Sequence, residues 1–251
     1  MLVNLSVLLQ HLLFFFLVVV APIWDWRYTS RLKREPSPER KVGVYQTLCA
    51  WLWASAIVAL LTVGWQPLFH IYPGPGEIAW FEIAWVRRLT GILLALFAAG
   101  TVLPLAIVLW KKLTHRPRKY AAAEKLKSMA WFLPATATER RWFGIVSVTA
   151  GICEEILFRG FLLHYFHVFP WKMNLTLALF LSALIFGAQH LYQGVAGAAQ
   201  TAIFGFLLSL LFLLTGSLLG PMILHAVMDL RMLAILRPPE AVPSAEGGSG
   251  R

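Results

Sequence analysis

Seven apolar runs, each close to twenty residues long, divide this chain into lengths that a soluble core cannot absorb. At 1.5 Å of rise per residue, about 20 apolar residues cross the roughly 30 Å hydrocarbon core of a bilayer. A helix satisfies its own backbone hydrogen bonds over that length, as lipid demands. The runs cover residues 3–22, 45–64, 89–110, 143–163, 173–191, 195–215 and 219–236. The expected fold class is therefore all-α, a polytopic membrane helix bundle of about seven transmembrane helices. An extra interfacial helix can form where Ala121 to Ala130 becomes amphipathic. Charged residues make up 14% of the chain, against about a quarter in an ordinary soluble domain.

The charges sit in blocks between the apolar runs. One polar and basic loop is expected over 25–44, with Arg27, Arg31, Lys33, Arg34, Arg40 and Lys41, and a second over 111–141. The formal net charge of +10 could suggest nucleic acid. However, the basic residues flank hydrophobic spans and do not interleave with polar aromatic surface, so topology and anionic lipid account for them. Membrane lipid is the expected partner, and nucleic acid is not. Positive-inside logic puts both basic loops in the cytoplasm. Seven spans then leave the N-terminus outside and the C-terminus inside, as expected of a multi-pass protein of a bacterial plasma (inner) membrane. Trp24, Trp26, Trp65, Trp80, Trp142 and Trp171 lie near span ends, where an interfacial belt forms.

Pro67, Pro73, Gly74, Pro75 and Gly76 mark a loop between Gln66 and Arg88, which enters an aromatic interfacial piece from Ile78 to Val86. Pro104 is expected to kink the third span. The first run has no preceding basic residues and no small-residue cleavage site, so it is read as a retained anchor. Cys49 and Cys153 both fall within apolar runs and are expected as buried free thiols. Three regions result: N-terminal helices with basic loops over 1–142, a catalytic helical core over 143–236, and a disordered tail over 237–251.

The fourth run is the unusual one. It holds Glu154, Glu155 and Arg159 in otherwise apolar sequence. Ionised groups at mid-membrane cost at least a few kcal/mol each and are usually functional. Glu155 and Arg159 stand four positions apart, so they share a helix face and can pair. Glu154 points about 100° away and is left for a cavity. Gly151 and Gly160 flank the pair and allow another helix to approach closely. His225 and Asp229 are one turn apart, as are Phe186 and His190, with Gln189 beside the latter. Water between Glu154 and a histidine would be a nucleophile, and donors on a facing helix would stabilise the oxyanion. His164 and His167 are read as interfacial, while His11, His70 and His115 follow no pattern.

Glu154-Glu155-Ile-Leu-Phe-Arg159, Phe186-Gly-Ala-Gln-His190 and His225-Ala-Val-Met-Asp229 resemble the three motifs of the CAAX-protease and bacteriocin-processing (CPBP, or Abi) family of intramembrane proteases. Order, spacing and helical context agree over 143–236; the first three spans resemble nothing recognisable. The resemblance implies an endopeptidase hydrolysing a peptide bond of a membrane-bound or lipid-modified protein or peptide. Glu154 would then activate water with the help of His190. His225 and the residue at 229 would stabilise the oxyanion, and Glu155 and Arg159 would order the site or engage substrate. Some members carry Asn at the last position, and an ionised Asp229 cannot donate to an oxyanion. Orientation of His225 by Asp229 is therefore the expected arrangement.

The family has been described both as metalloproteases and as glutamate proteases. Glu154, His190 and His225 have the donors for a catalytic zinc site, but no His-Glu-x-x-His signature is present, and the metal-free glutamic version is favoured. The competing reading is a non-catalytic immunity or scaffold factor, or a proton-coupled carrier, using the same Glu/His cluster. Simple spans place His190 near one end of the fifth run and His225 near the opposite end of the seventh. Convergence therefore requires either a short, tilted fifth helix or a broken stretch over 191–203.

Overall fold

The structure is a computed structural model, and it describes residues 2–35, 37–69, 80, 82–115 and 129–236. It is a bundle of helices, with no strand among the described residues. α1 (Leu2–Phe15) runs through a π-helical turn (Phe16–Val20) into α2 (Ala21–Arg34). α3 spans Pro38–Val63, α4 Trp65–Phe69 and α5 Ala84–Leu113. α6 (Ala137–Glu155) continues through a π-helical segment (Ile156–Leu162) into α7 (Leu163–His167). α8 (Leu175–Gln189), a 3₁₀ turn (Leu191–Gln193), α9 (Val195–Thr215) and α10 (Leu219–Ile235) complete it.

Among the described residues, four helical lengths are long and apolar enough to cross a membrane: Leu5–Arg34, Pro38–Val63, Ala84–Leu113 and Val195–Thr215. α8 is a shorter apolar helix. Leu61, Leu96, Leu184 and Ile203 are exposed on the outside of the bundle, as lipid-facing residues are. With the charged helices α6 and α10, the described residues form the helical membrane bundle that the apolar runs imply.

Several boundaries differ from the sequence reading. Residues 25–34 are helical, although a loop over 25–44 was expected. Arg31, Lys33 and Arg34 occupy the last turn of α2, where cations complement the helix dipole. The break is confined to three residues, because Ser37 caps α3 by accepting from the Arg40 N–H at 3.2 Å, with Pro38 at the first turn. The α6–α7 length begins at 137 and not 143. Thr136 and Glu139 form a capping box there, which starts the helix within the polar sequence. Of the aromatic piece expected over 78–86, residues 84–86 form the first turn of α5, and Pro104 lies within α5 without ending it. Most of the surface helix expected over 121–130, and the tail over 237–251, lie outside the described residues.

α6 and its π-helical continuation form the centre. α3 and α10 pack on α6, α8 packs on the continuation, and α9 forms a hairpin with α8. α1 lies against α3, while α5 leans on α10 at the periphery. At the end that bears the 27–41 basic block, buried Lys41 donates to the Leu133 carbonyl at 3.0 Å. It also stands 3.5 Å from Glu139, so it ties α3 to the start of α6. Cys49 and Cys153 are free; Cys153 is buried, whereas Cys49 is only half-buried.

Candidate active site

The fourth run places its two carboxylates as spacing alone requires, and other helices complete the site. Glu155 Oε1 accepts from Arg159 Nη1 at 2.9 Å across one turn, and both side chains are buried. Arg159 also donates from Nη2 to the Gly205 carbonyl of α9 at 2.9 Å. Its guanidinium lies over the Phe186 ring, 4.4 Å from the centroid. A buried cation is tolerable only with such partners. The carbonyl is reachable because residue 205 has no side chain: a Cβ there would come within 2.7 Å of Phe186 and 3.0 Å of Arg159 Nη2.

Gly151 performs the same service between α6 and α10. A Cβ on it would stand 2.7 Å from both Cβ and N of Ala226. This contact brings His225 against the carboxylate pair. His225 Nδ1 donates to Glu155 Oε1 at 2.7 Å. Its Nε2 lies 3.8 Å from Glu154 Oε2 and 3.8 Å from Asp229 Oδ2. Glu155, and not Asp229, therefore holds the ring; at 3.8 Å the Asp229 contact is electrostatic and not a hydrogen bond. Spacing within α10 suggested Asp229, but the partner came from another helix.

His190 reaches the site because α8 is short. Its 15 residues span roughly 22 Å, and α10, with 17 residues, spans roughly 25 Å. Neither is long enough by itself to cross a hydrocarbon core of roughly 30 Å. The irregular stretch is limited to the 3₁₀ turn and Gly194, whose φ of 86° suits glycine. From Val195 onward the chain is regular helix. His190 Nδ1 faces the Phe186 carbonyl at 2.8 Å. A carbonyl only accepts, so Nδ1 carries a proton, and in a neutral ring Nε2 is then an acceptor.

Glu154, His190, His225 and Asp229 line one cavity of about 580 Å³, a size typical of ligand sites. Glu154 Oε2 is buried without a hydrogen-bond partner among the described residues. Glu155 and Arg159 stand behind this wall, where they hold His225. His164 and His167 are not among the residues lining the cavity. Sequence reasoning noted Gln189 only as the neighbour of His190 and passed over Asp25, Tyr192, Gln193 and Trp51; all five line the cavity. Asp25 carried a usable signal, being the sole acidic residue before Glu35. The side chain of Gln189 donates to the Leu17 carbonyl within the π-helical turn of the first helix, a contact no local pattern announces. Among the described residues, no three His, Cys, Asp or Glu side chains are grouped to hold a metal ion together. In this arrangement the donor set does not fit a three-ligand zinc centre.

The Glu154 carboxylate and two imidazoles thus line a common cavity within the helical bundle, braced by a buried carboxylate–guanidinium pair. Residues 136–231 match the family model described as Rce1-like, type II CAAX prenyl endopeptidase Rce1-like. The matched segment is well under half of the chain. It contains all three motifs, in agreement with the CAAX-protease and bacteriocin-processing resemblance they carry, and the family implies protease activity. No curated protein and no solved structure matches the chain.

Proposed function

We propose that this protein is an intramembrane endopeptidase in which Glu154 activates water against a peptide bond of a membrane-associated, lipid-modified protein or peptide. The observation that carries this reading is the unpartnered Glu154 Oε2 in a cavity shared with His190 and His225. Water held between Glu154 and the acceptor Nε2 of His190 gives its proton to the Glu154 carboxylate as its oxygen bonds to the scissile carbonyl carbon. The oxyanion accepts from Nε2–H of His225, whose imidazolium form also donates from Nδ1 to Glu155. Collapse of the tetrahedral intermediate breaks the C–N bond, and Glu154 returns its proton to the leaving amine. Arg159 keeps Glu155 ionised and in place and does not touch substrate.

The protein is an integral membrane protein by its apolar helices; a bacterial plasma membrane, with the basic loops in the cytoplasm, is part of the proposal. The test is Glu154→Gln, purified with an unchanged melting profile and assayed in liposomes on membrane peptides that accumulate in cells carrying only that variant. Loss of cleavage by about 10²–10⁴-fold is expected for removal of a general base. Cleavage at the parent rate would return the protein to the scaffold or carrier reading. Repeating the parent assay after chelation tests the glutamic mechanism separately, since a rate that falls and is restored by zinc contradicts it.

A further inference from the structure

The cavity does not end at the motif residues. It continues between α2, α3 and the 129–133 segment, where Trp24, Asp25, Thr29, Trp51 and Phe132 line it. All of that wall lies outside the matched segment 136–231 or at its N-terminal edge. We infer that Asp25 determines specificity: its carboxylate receives a cationic group, a lysine or arginine side chain, of the substrate chain lying in the cavity. This inference rests on the endopeptidase reading and names a feature of its substrate.

The placement of Asp25 is the first argument. It stands 20 residues beyond Leu5 on one continuous helical length, about 30 Å along its axis. That puts it at the end of the bundle that carries the 27–41 basic block, where a peptide entering from water would bring polar side chains. Thr29 is buried and donates to the Asp25 carbonyl at 2.7 Å, which locks the turn. No ion pair or side-chain hydrogen bond holds the Asp25 carboxylate among the described residues. Lys33, whose charge reaches Asp25, is committed elsewhere. Its Nζ donates to the Tyr192 carbonyl at 2.8 Å and sits 4.8 Å from the Trp131 ring centroid.

Charge and surroundings supply the second argument. The cavity is lined by three carboxylates, Asp25, Glu154 and Asp229, against the Arg231 guanidinium and the His225 imidazolium of the proposed mechanism. The protein as a whole is strongly basic, so an acid-lined interior is a local arrangement and not an average of the chain. Glu154 and Asp229 face His225 at 3.8 Å, whereas Asp25 shares its end of the cavity with Trp24 and Trp51. Trp24 stacks on Tyr28 at 4.8 Å and meets Trp51 edge-on at 6.4 Å. A carboxylate in a cavity also lined by indole rings suits a cation through both charge and ring quadrupole. It is a poor seat for an acidic or purely aliphatic side chain.

The experiment uses the full chain carrying Glu154→Gln, so that binding is read without turnover. The protein is reconstituted in phosphatidylcholine vesicles, whose neutral surface does not itself attract a basic peptide. Fluorescent apolar peptides are compared in sets that differ at one position, with Lys, norleucine or Glu moved stepwise along the chain. At some position Lys should bind about tenfold tighter than norleucine, as one charge-assisted contact gives. Asp25→Asn should erase that preference, Asp25→Glu should keep it, and Asp25→Lys should transfer it to the Glu peptide. Equal binding of all three peptides at every position overturns the inference, as does a Lys preference that survives Asp25→Asn. Cleavage is then measured with Glu154 intact: peptides that bind with an Asp25-dependent preference but are never cut support this inference and overturn the hydrolase reading alone.

Discussion

Replacing Gly151 with alanine tests the helix contact on which the site geometry depends. The added Cβ would meet Ala226 at 2.7 Å from its Cβ, 2.7 Å from its N and 2.8 Å from its Cα. Non-bonded carbons rest about 3.5–4.0 Å apart, so α6 and α10 must separate by roughly 1 Å. His225 adjoins Ala226, and Glu155 lies one turn from Gly151. The same movement stretches the 2.7 Å bond from His225 to Glu155 to about 3.7 Å, beyond hydrogen-bonding range. Overpacking costs about 1–3 kcal/mol, and loss of a charge-assisted bond adds about 1.5–3 kcal/mol. The expected destabilisation is therefore roughly 2.5–6 kcal/mol, and cleavage should fall about 10²-fold because a catalytic group has shifted by roughly 1 Å. Thermal unfolding in detergent and single-turnover cleavage of a membrane peptide measure the two effects. Adding Ala226→Gly should rescue little, since the Ala226 N and Cα remain in the way. An unaltered melt and rate for Gly151→Ala, or full rescue by Ala226→Gly, would refute the claim that backbone contact sets this distance.

Arg159→Met leaves Glu155 buried with only His225, and should cost about 3–5 kcal/mol in chemical denaturation. Adding Glu155→Leu should recover most of that stability while cleavage stays lost, because Nδ1 of His225 then has no acceptor. Asp229→Asn supplies an amide donor beside His225 and should cleave at or above the parent rate; a fall of about 10²-fold or more would mean that the carboxylate itself takes part. Exposed Glu35, between α2 and α3, has its carboxyl held below the ordinary value of 4.5 by the Arg40 hydrogen bond and charge. Its lowered folded-state value makes the contact fully present above the unfolded value and lost as pH falls through the folded one. Carbon-13 NMR titration should show the Glu35 midpoint moving back up in Arg40→Gln.

What could be read from sequence was local. Glu155 and Arg159 pair because four residues make one turn, and the apolar runs became helices because lipid allows little else. Gly151 was flagged as a point of close approach, although the residue it would meet, Ala226, was not identifiable. The assignment of a partner to His225 failed because spacing within α10 favours Asp229. The contact that forms is with a carboxylate seventy residues away, and no periodicity encodes it. The depth mismatch between His190 and His225 came from treating every apolar run as a full span; α8 and α10 are too short for that. Asp25 was absorbed into a supposed loop because the basic residues around it outweigh one acid in any count of composition.

Gln189 is bonded to the first helix through the Leu17 carbonyl, and this couples two regions with different obligations. On the endopeptidase reading the reacting groups stand on the later helices, while the earlier ones supply one side of the cavity wall. If the proposed mechanism holds, sequence in the first hundred residues can drift toward new targets with the reacting groups untouched, provided the glutamine keeps its hold. The same coupling means that the later helices expressed alone would form a cleft with one side missing, open to lipid where a ligand should sit.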